Sequence, residues 1–380
     1  MKRIRVLIVE GSPTTREAIR QQFGREADLE LAGLFSNGRV ALAQLTDLSP
    51  DVVVLDVAEP DLEGLKTLTA LRLTHPTLPV LVFSQLTQRG SQVTVDALLQ
   101  GANEYVTKPG TQIDLSQTLR GELVARIKSL AMTASGNTTP RIKPLTTSPD
   151  IRRASPAPVA AITSPESPAG RERSFKVAEI VAIATSTGGP NALATLLSLL
   201  PTSFATPIVI VQHMSSGFTA TLADSLRRQT RRVVQEVAAA NAIHDAAVWI
   251  AAGGRHLVVK RDGVITQVAP DDGPAENECC PSADVLFRSV ANVYGSRCLA
   301  VVLTGMGSDG LAGCRAIRQA GGSIIVQDEA SSISWGMPGQ VARAGLADQV
   351  LSLTELAQEI CRLTNSNRPG ARSIPSATTS

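Results

Sequence analysis

Three residues whose side chains could together catalyse acyl transfer lie far apart in the chain, and each follows an apolar run of strand length. They are Ser186, His213 and Asp309. A hydroxyl nucleophile, an imidazole base and a carboxylate that orients the imidazole are the groups that acyl transfer needs. Apolar runs that alternate with helical segments predict a parallel sheet, and the carboxyl ends of parallel strands meet at one edge. The spacing therefore predicts that the three side chains share one site.

The segment around Ser186 predicts a tight turn from a strand into a helix. The apolar run Val177–Ala184 ends in small and hydroxyl residues, and Pro190 suits the first turn of the helix that follows. Gly188 and Gly189 allow the bend and a close approach of backbone donors. Taken alone, such a turn is more typical of a helix cap or a phosphate-binding loop, so the nucleophile hypothesis depends on the other two residues. The order serine, histidine, aspartate and the lack of a Gly-x-Ser-x-Gly motif argue against a lipase-type fold.

Residues 3–125 alternate short apolar runs with helical segments, which predicts a second parallel sheet covered by helices on both faces. Glu10, Asp56, Ser84 and Lys108 each lie at the end of one predicted strand. Two acids, a hydroxyl and a lysine at one edge suit a carboxylate that becomes phosphorylated, with a divalent ion to neutralise charge.

The segment between His213 and Asp309 predicts further elements. Its composition indicates an amphipathic helix over 219–228, a β-meander over 247–268 and a helix over 281–293. A third buried strand is predicted over 298–303, and Asp309 lies in the glycine-rich loop 304–310 that follows it.

The composition indicates two domains joined by a linker. A chain of 380 residues with 43% apolar residues can build two cores. Residues 137–176 hold seven prolines, and seven basic against three acidic residues, which predicts a semi-extended linker. Residues 366–380 predict a tail of the same kind.

Charge and cysteine content narrow the class of protein. With 36 basic against 34 acidic residues, nothing indicates nucleic-acid binding, and no apolar run is long enough to span a membrane. The five cysteines are odd in number and show neither zinc nor disulfide spacing, which predicts a reducing cytoplasm. The adjacent pair Cys279–Cys280 could act in redox chemistry, but it lacks the Cys-x-x-Cys spacing.

The first segment resembles a response-regulator receiver domain over almost its whole length. The matching stretches are Asp51–Asp56 followed by Pro60 and Gly64-Leu65, then Ser84, and Tyr105–Pro109. The resemblance implies a flavodoxin-like fold with Asp56 as the phosphoacceptor. It implies that Ser84, Tyr105 and Lys108 are the switch hydroxyl, aromatic ring and lysine. It also implies a Mg²⁺ site for phosphorylation at Glu10 and Asp56.

One position departs from the receiver pattern. The family carries two adjacent acids after the first strand, whereas this chain has Glu10-Gly11. Because Mg²⁺ requires hard oxygen ligands, the loss of one carboxylate predicts a weak metal site. Phosphorylation of Asp56 is therefore one hypothesis. A receiver that binds metal poorly and serves as a docking or gating module is the alternative.

Receiver and remainder together resemble the CheB family of chemotaxis protein-glutamate methylesterases. Over nearly all of 178–360 the matching stretches are Ala184–Gly189, Gln212–Met214, Gly217–Thr219, Gly253–Leu257, Pro281–Phe287, Leu303–Gly310 and Gly336–Pro338. The resemblance implies Ser186 as nucleophile, His213 as base and Asp309 as the orienting acid. It implies an oxyanion hole from the backbone N–H groups of Thr187 and Met306, and no cofactor for the esterase reaction.

Three further features qualify this resemblance. His256 belongs to a family motif but not to the triad, so we interpret it as structural. Ser215 replaces a usual proline, and Cys279–Cys280 replaces polar or basic residues ahead of Pro281, which would change the charge of the substrate groove.

We therefore predict an α/β protein with four segments. A flavodoxin-like receiver, a doubly wound parallel sheet, occupies 1–125, and a linker occupies 126–176. A Rossmann-like α/β methylesterase domain occupies 177–365, and a disordered tail occupies 366–380.

The expected function is hydrolysis of glutamate γ-methyl esters on methyl-accepting chemotaxis receptors, with deamidation of specific glutamines by the same acyl chemistry. The receiver would cover the active site until a histidine kinase supplies the phosphoryl group for Asp56. We expect a cytoplasmic monomer that neither binds nucleic acid nor inserts into a membrane. Two alternatives stay open: a non-phosphorylatable receiver tethered to a receptor-binding module, and the same esterase acting on a signalling protein outside chemotaxis.

Overall fold

The computed structural model describes residues 3–57, 63–85, 88–109, 112–136 and 176–364. Most of the predicted linker and the predicted tail lie outside the described residues, as does Pro60. Among the described helices, none combines the length and apolar character needed to cross a membrane.

The N-terminal domain is a five-stranded parallel sheet with strand order β2-β1-β3-β4-β5, the order of flavodoxin-like folds. The strands are β1 Ile4–Val9, β2 Leu29–Phe35, β3 Val52–Leu55, β4 Val80–Gln85 and β5 Glu104–Lys108. The helices are α1 Pro13–Phe23, α2 Gly38–Leu48, α3 Glu63–Thr74, α4 Gln88–Leu99, α5 Gln112–Thr118 and α6 Val124–Gly136, the last two joined by a π turn over Leu119–Leu123. The predicted fold class of this segment is confirmed.

Two details of this domain differ from the sequence analysis. Strand β2 was not predicted, because it is an edge strand whose residues after Leu29 are only half-buried and so give a weak apolar signal. The predicted linker at 126–176 begins too early, because α6 continues to Gly136. Ile127 and Leu130 bury their side chains against the receiver sheet, which holds this stretch in the domain.

The C-terminal domain is a seven-stranded parallel sheet with strand order β15-β14-β13-β6-β7-β10-β8. Its strands are β6 Ile180–Thr185, β7 Ile208–Gln212, β8 Val233–Val237, β10 Ala247–Ala251, β13 Cys298–Val302, β14 Ser323–Gln327 and β15 Gln349–Leu351. The helices are α7 Gly189–Leu199, α8 Thr219–Thr230, α9 Ala283–Tyr294, α10 Leu311–Gln319, α11 Met337–Arg343 and α12 Leu353–Leu363. The chain leaves β6 on one side and returns to β13 on the other, so a topological switch point lies between these two strands, where open α/β sheets bind ligands.

The predicted β-meander is wrong in part. Strand β10 is buried along its whole length and pairs in parallel with β7 and β8, as a fully covered central strand does. Only β11 His256–Asp262 and β12 Ile265–Asp271 form an antiparallel hairpin, with β9 Asn241–Ala242 added at its edge. The short edge strands β8 and β15 were not predicted either.

The two domains share one apolar cluster. It extends from the receiver sheet through α4 to α7 and α8, and it includes Val93 and Leu193. The ring of Tyr105 packs against the ring of Phe218 with centroids 4.7 Å apart and planes tilted by 45°. Since apolar burial contributes roughly 25 cal/mol per Å², this packing holds the receiver on the face of the second domain.

Candidate active site

The three residues predicted for acyl transfer follow the ends of three neighbouring strands, β13, β6 and β7. The backbone ladder continues past the strand ends, since Ser186 N–H donates to the Thr304 carbonyl and His213 N–H donates to the Thr185 carbonyl, both at 3.0 Å. Adjacent parallel strands lie about 4.8 Å apart, so residues just beyond their ends come within reach of each other. The sheet order therefore brings Ser186, His213 and Asp309 to one edge.

Ser186 lies on the predicted tight turn between β6 and α7. Gly188 has a φ of +76°, and a Cβ at this position would lie 2.7 Å from the Ile333 side chain. The Ser186 carbonyl accepts hydrogen bonds from Gly189 N–H at 2.8 Å and from the Gln212 side chain at 3.0 Å. These hydrogen bonds fix the turn. Position 188 requires glycine, because only glycine adopts this backbone conformation without strain in so little space.

His213 and Asp309 form a close pair at the switch point. The distance between His213 Nε2 and Asp309 Oδ2 is 2.7 Å, and the Asp309 side chain is 2% exposed. A carboxylate on one ring nitrogen fixes the tautomer of the imidazole and stabilises its charged form. Nδ1 is therefore the nitrogen left to exchange a proton with a nucleophile.

Asp309 is held ionised by the start of α9. Its carboxylate accepts hydrogen bonds from the Ser282 hydroxyl at 2.8 Å and from three backbone N–H groups: Ala283 at 2.7 Å, Asp284 at 3.1 Å and Gly310 at 3.0 Å. Burial would raise the pKa of Asp309, but the His213 hydrogen bond and these donors lower it below its ordinary value. A helix N-terminus also favours negative charge.

His256, interpreted as structural, stabilises this arrangement indirectly through Ser282. Its Nε2 lies 2.9 Å from the Pro274 carbonyl, and its Nδ1 accepts the Ser282 N–H at 3.1 Å. His256 therefore orients Ser282, which in turn bonds Asp309. Ser282 was not predicted from the sequence, although it stands in the Pro281–Phe287 motif. The signal that could have indicated it is its N-cap position ahead of an apolar helix.

The loop that carries Met306 comes close to the turn that carries Thr187. A Cβ on Gly305 would lie 2.9 Å from the Ser186 Cβ, and the Thr304 hydroxyl donates to the Thr187 carbonyl at 2.9 Å. The two residues predicted to supply oxyanion donors therefore flank Ser186. Their role stays a prediction.

The free side of the His213 ring faces a cysteine. Cys279 Sγ lies 4.0 Å from Nδ1, and within the described residues no hydrogen bond joins the Ser186 hydroxyl to His213. Burial would lower the pKa of His213, but the Asp309 hydrogen bond and the Cys279 contact outweigh it and raise the pKa to about 9. Cys279 was singled out in the sequence only as part of an adjacent pair, because nothing in its spacing places it beside the imidazole.

The receiver covers this site and contacts each of the three catalytic loops. The Thr187 hydroxyl donates to Glu104 Oε2 at 2.5 Å, and Ser215 N–H donates to the Tyr105 hydroxyl at 3.0 Å. The Ser129 hydroxyl lies 2.7 Å from the Met306 sulfur. Between the domains remains a cleft of about 410 Å³, lined by residues of both, among them Glu122, Arg126, Ser186, His213 and Cys279.

Burial in this cleft affects two receiver groups. It raises the pKa of Tyr105 and that of Glu122, the latter against the opposing effect of Arg126. Glu104 was not singled out in the sequence, because its contact with Thr187 depends on how the two domains dock.

The second predicted cluster lies at the carboxyl edge of the receiver sheet. Lys108 Nζ lies 2.8 Å from Glu10 Oε2 and 2.6 Å from Asp56 Oδ2. Burial, opposed by Lys108 and reinforced by Asp56, raises the pKa of Glu10. The Ser84 hydroxyl is buried and, among the described residues, has no hydrogen-bond partner, so it can take up a new acceptor. The structure thus brings the four predicted residues together.

The oxygen donors at this edge fit a hard divalent cation, with one carboxylate fewer than the receiver pattern provides. Glu10 and Asp56 would hold Mg²⁺. In this structure Lys108 forms ion pairs with both carboxylates and partly neutralises their charge. A Cβ on Gly11 would have no heavy atom within 4 Å, so the missing carboxylate has room.

A flavodoxin-like receiver docked over a serine, histidine and aspartate at the switch point of a second α/β sheet defines a class of protein: a hydrolase that carries a response-regulator receiver domain. Comparison with known proteins agrees with this class. The family model for the response regulator receiver domain matches residues 6–120, and that for the CheB methylesterase matches residues 181–360. The chain belongs to the CheB methylesterase family and carries a response-regulator receiver domain.

Two relatives and one solved structure illustrate the similarity. A protein-glutamate methylesterase/protein-glutamine glutaminase of Trichodesmium erythraeum is 42% identical over 365 residues, which cover 95% of this chain and 99% of that protein. One of a Nocardioides species is 39% identical over 97% of this chain and 98% of that protein. The crystal structure of the Thermotoga maritima CheB methylesterase catalytic domain is 35% identical, with a TM-score of 0.48 over 49% of this chain and 98% of that one.

A first prediction concerns pH. Because His213 must be neutral to act as a base and its pKa is raised to about 9, we expect kcat/KM to rise with pH up to about 9. Cys279→Ser removes one cause of the raised pKa, so the midpoint should move to lower pH. The measurement is a kcat/KM profile from pH 6 to pH 10 on a soluble methyl ester. Superimposable profiles for the two proteins would show that Cys279 does not act on His213.

A second prediction concerns Gly11. We expect Gly11→Asp to tighten Mg²⁺ binding by roughly 10-fold, because it adds a hard anionic ligand in open space. Isothermal titration with MgCl₂ measures the affinity, and Gly11→Asn is the control of equal size without charge. Equal affinities for these two variants would mean that the added carboxylate does not reach the metal.

Proposed function

We propose that this chain hydrolyses glutamate γ-methyl esters on methyl-accepting chemotaxis receptors, with Ser186, His213 and Asp309 as its triad, and that phosphorylation of Asp56 uncovers the site. Membership of the CheB methylesterase family makes the chain a carboxylic ester hydrolase. The observation that carries the assignment of residues is the 2.7 Å pair of His213 and Asp309 beside Ser186 at the switch point.

The proposed reaction gives each of these residues a defined role. The Ser186 hydroxyl attacks the ester carbonyl while His213 Nδ1 takes its proton, and Asp309 stabilises the imidazolium. The N–H groups of Thr187 and Met306 stabilise the tetrahedral oxyanion, and each such donor contributes on the order of 10²–10³ in rate. His213 then protonates the departing methanol, and water attacks the acyl-enzyme with His213 again as base.

The same steps act on a glutamine side chain, where ammonia leaves in place of methanol. The relatives from Trichodesmium erythraeum and Nocardioides carry both activities in their names. We therefore include deamidation of receptor glutamines in the proposal.

The gate depends on β5, which touches both sites. Lys108 at its carboxyl end binds Asp56, while Glu104 and Tyr105 at its other end contact the catalytic loops. A phosphoryl group on Asp56 competes for Lys108 and offers an acceptor to the Ser84 hydroxyl; bound Mg²⁺ supplies neutralisation of the charge. Movement of β5 would then loosen the contacts with Thr187 and Ser215.

The proposed partners are chemoreceptor cytoplasmic segments as substrate and a histidine kinase as phosphodonor. We propose that the protein is a cytoplasmic monomer, which is compatible with both of these partners. Support comes from the receiver domain and from the names of the relatives.

The third prediction tests the esterase. Methanol release is measured from methyl-labelled receptor fragments, with and without a small phosphodonor and Mg²⁺. Ser186→Ala should lower release by at least about 10³-fold because the nucleophile is lost. Ser216→Ala, an exposed serine nearby, is the control and should keep release. Ser186→Ala that still releases methanol would refute the triad, and wild-type release that ignores the phosphodonor would refute the gate.

The fourth prediction tests the contact between the domains. Tyr105→Phe keeps the ring against Phe218 but removes the acceptor of Ser215 N–H. Losing one such bond costs about 1 kcal/mol, so basal release without phosphodonor should rise about 5-fold. Tyr294→Phe, a buried tyrosine away from the receiver, is the matched control. An unchanged basal rate in Tyr105→Phe would show that this hydrogen bond does not hold the receiver closed.

A further inference from the structure

Cys279 lines the same cleft as Ser186 and faces the same imidazole, yet the proposed reaction does not use it. Its Sγ lies 4.0 Å from His213 Nδ1, the nitrogen not engaged by Asp309. The side chain is half-buried, so small molecules that enter the cleft can reach it.

The loop that carries Cys279 is fixed rather than loose. Glu276 and Cys279 exchange two backbone hydrogen bonds, at 3.1 and 2.9 Å, around a two-residue turn in which Asn277 and Glu278 both have positive φ. Arg288 of α9 binds the Glu276 carboxylate through two hydrogen bonds, at 2.7 and 2.5 Å. The Asn277 side chain donates to Asp284 at 2.9 Å. The thiol is therefore positioned beside His213 by the helix that also positions Asp309.

A metal site is not formed by His213, Cys279 and Asp309, although their ligand atoms lie within 4.8 Å of one another. The Asp309 oxygens already accept from His213, Ser282 and three backbone N–H groups. This carboxylate also lies on the Nε2 side of the ring, whereas Cys279 lies on the Nδ1 side. Two ligands that face the cleft are fewer than the three or four that zinc takes from a protein.

The arrangement instead suits thiol chemistry. A cysteine beside an imidazole whose other nitrogen is bound to a buried carboxylate can pass its proton to the ring, which leaves a thiolate next to an imidazolium. The pKa of His213, raised to about 9 in part by Cys279, agrees with a charged ring. Thiolates, not thiols, react with peroxides and alkylating agents.

We propose that Cys279 is a modification site that hydroperoxides oxidise to a sulfenic acid, and that this oxidation switches the esterase off. The thiolate sulfur attacks the terminal peroxide oxygen, so an S–O bond forms as the O–O bond breaks. Sulfur loses two electrons to the peroxide, and His213 gives its proton to the departing alkoxide or hydroxide. The oxygen added to Cys279 then lies against Nδ1, where the Ser186 hydroxyl must bind. A low-molecular-weight thiol forms a mixed disulfide with release of water, and a second thiol restores Cys279.

Cys280 is the matched internal control. It is the next residue and is also half-buried, but burial, Asp272 and Cys279 raise its pKa, so it stays a thiol. The other three cysteines, Cys298, Cys314 and Cys361, are buried, and burial raises the pKa of each.

The first test measures reactivity without any assay of catalysis. The full chain, in EDTA to exclude metals, is pulsed with iodoacetamide, and peptide mass spectrometry gives the alkylation rate of each cysteine. We expect Cys279 to react at least about 10-fold faster than Cys280, and His213→Gln to abolish this excess while the Cys280 rate stays the same. Equal rates at the two cysteines, or an excess that survives His213→Gln, would overturn the proposal.

The second test measures the switch and rests on the proposed esterase. Each protein is compared with its own untreated sample after hydrogen peroxide and then dithiothreitol. Wild type and Cys280→Ser should lose most methanol release and regain it, whereas Cys279→Ser should keep it. Activity that persists in wild type with Cys279 trapped as sulfenic acid would refute the switch. A wild type with no release before treatment would refute the proposed function instead, and the alkylation result would still decide the reactivity of Cys279.

Discussion

The buried negative charge of Asp309 is the constraint on which the catalytic domain depends. Removing a carboxylate from water is costly unless donors replace the lost hydration. Here the start of α9 supplies Ser282 and backbone N–H groups, the loop after β13 supplies its own amide, and β7 supplies His213. Because the donors come from three different segments, satisfying this one charge fixes the positions of the helix, the loop and the base relative to each other. The geometry of the site therefore follows from the need to replace the hydration of a buried carboxylate with hydrogen bonds from the protein.

One strand of the receiver, β5, contacts both the acidic cluster around Asp56 and the catalytic loops. Strand β5 is five residues long, so its ends are separated by roughly 13 Å. At one end Lys108 neutralises two acids, and at the other end Glu104 and Tyr105 replace water as partners of the catalytic loops. A change in charge at Asp56 therefore acts directly on Lys108 at one end of β5, while the other end of this strand contacts Thr187 and Ser215. In the gate that we propose, this short strand carries the change from Asp56 to the catalytic loops.

Much of this could be predicted from the sequence, because strand ends in parallel sheets share an edge. That rule alone places Ser186, His213 and Asp309 together, and it gathers Glu10, Asp56, Ser84 and Lys108 in the receiver. It fails for the edge strands β2, β8 and β15, which are too short or too exposed to give an apolar run, and for β10, whose place in the sheet depends on long-range pairing. The contacts of Glu104 and Cys279 could not be predicted, since one depends on domain docking and the other on a turn that folds back onto a helix.

In the chemistry that we propose, one imidazole serves two nucleophilic side chains, Ser186 and Cys279, and the surrounding backbone decides which of them performs acyl transfer. Ser186 lies between β6 and α7, where the amides of the residues that follow would stabilise the oxyanion of the proposed reaction. The Cys279 amide is already bonded to Glu276, and the Cys280 carbonyl is bonded to Gly254 N–H, so that turn has its backbone groups committed to structure. A thiolate there can attack a peroxide, whose leaving group needs only a proton, but it lacks the donors that a tetrahedral intermediate requires. Under both proposals the two residues share His213 as base, and their different backbone surroundings give them different chemistry.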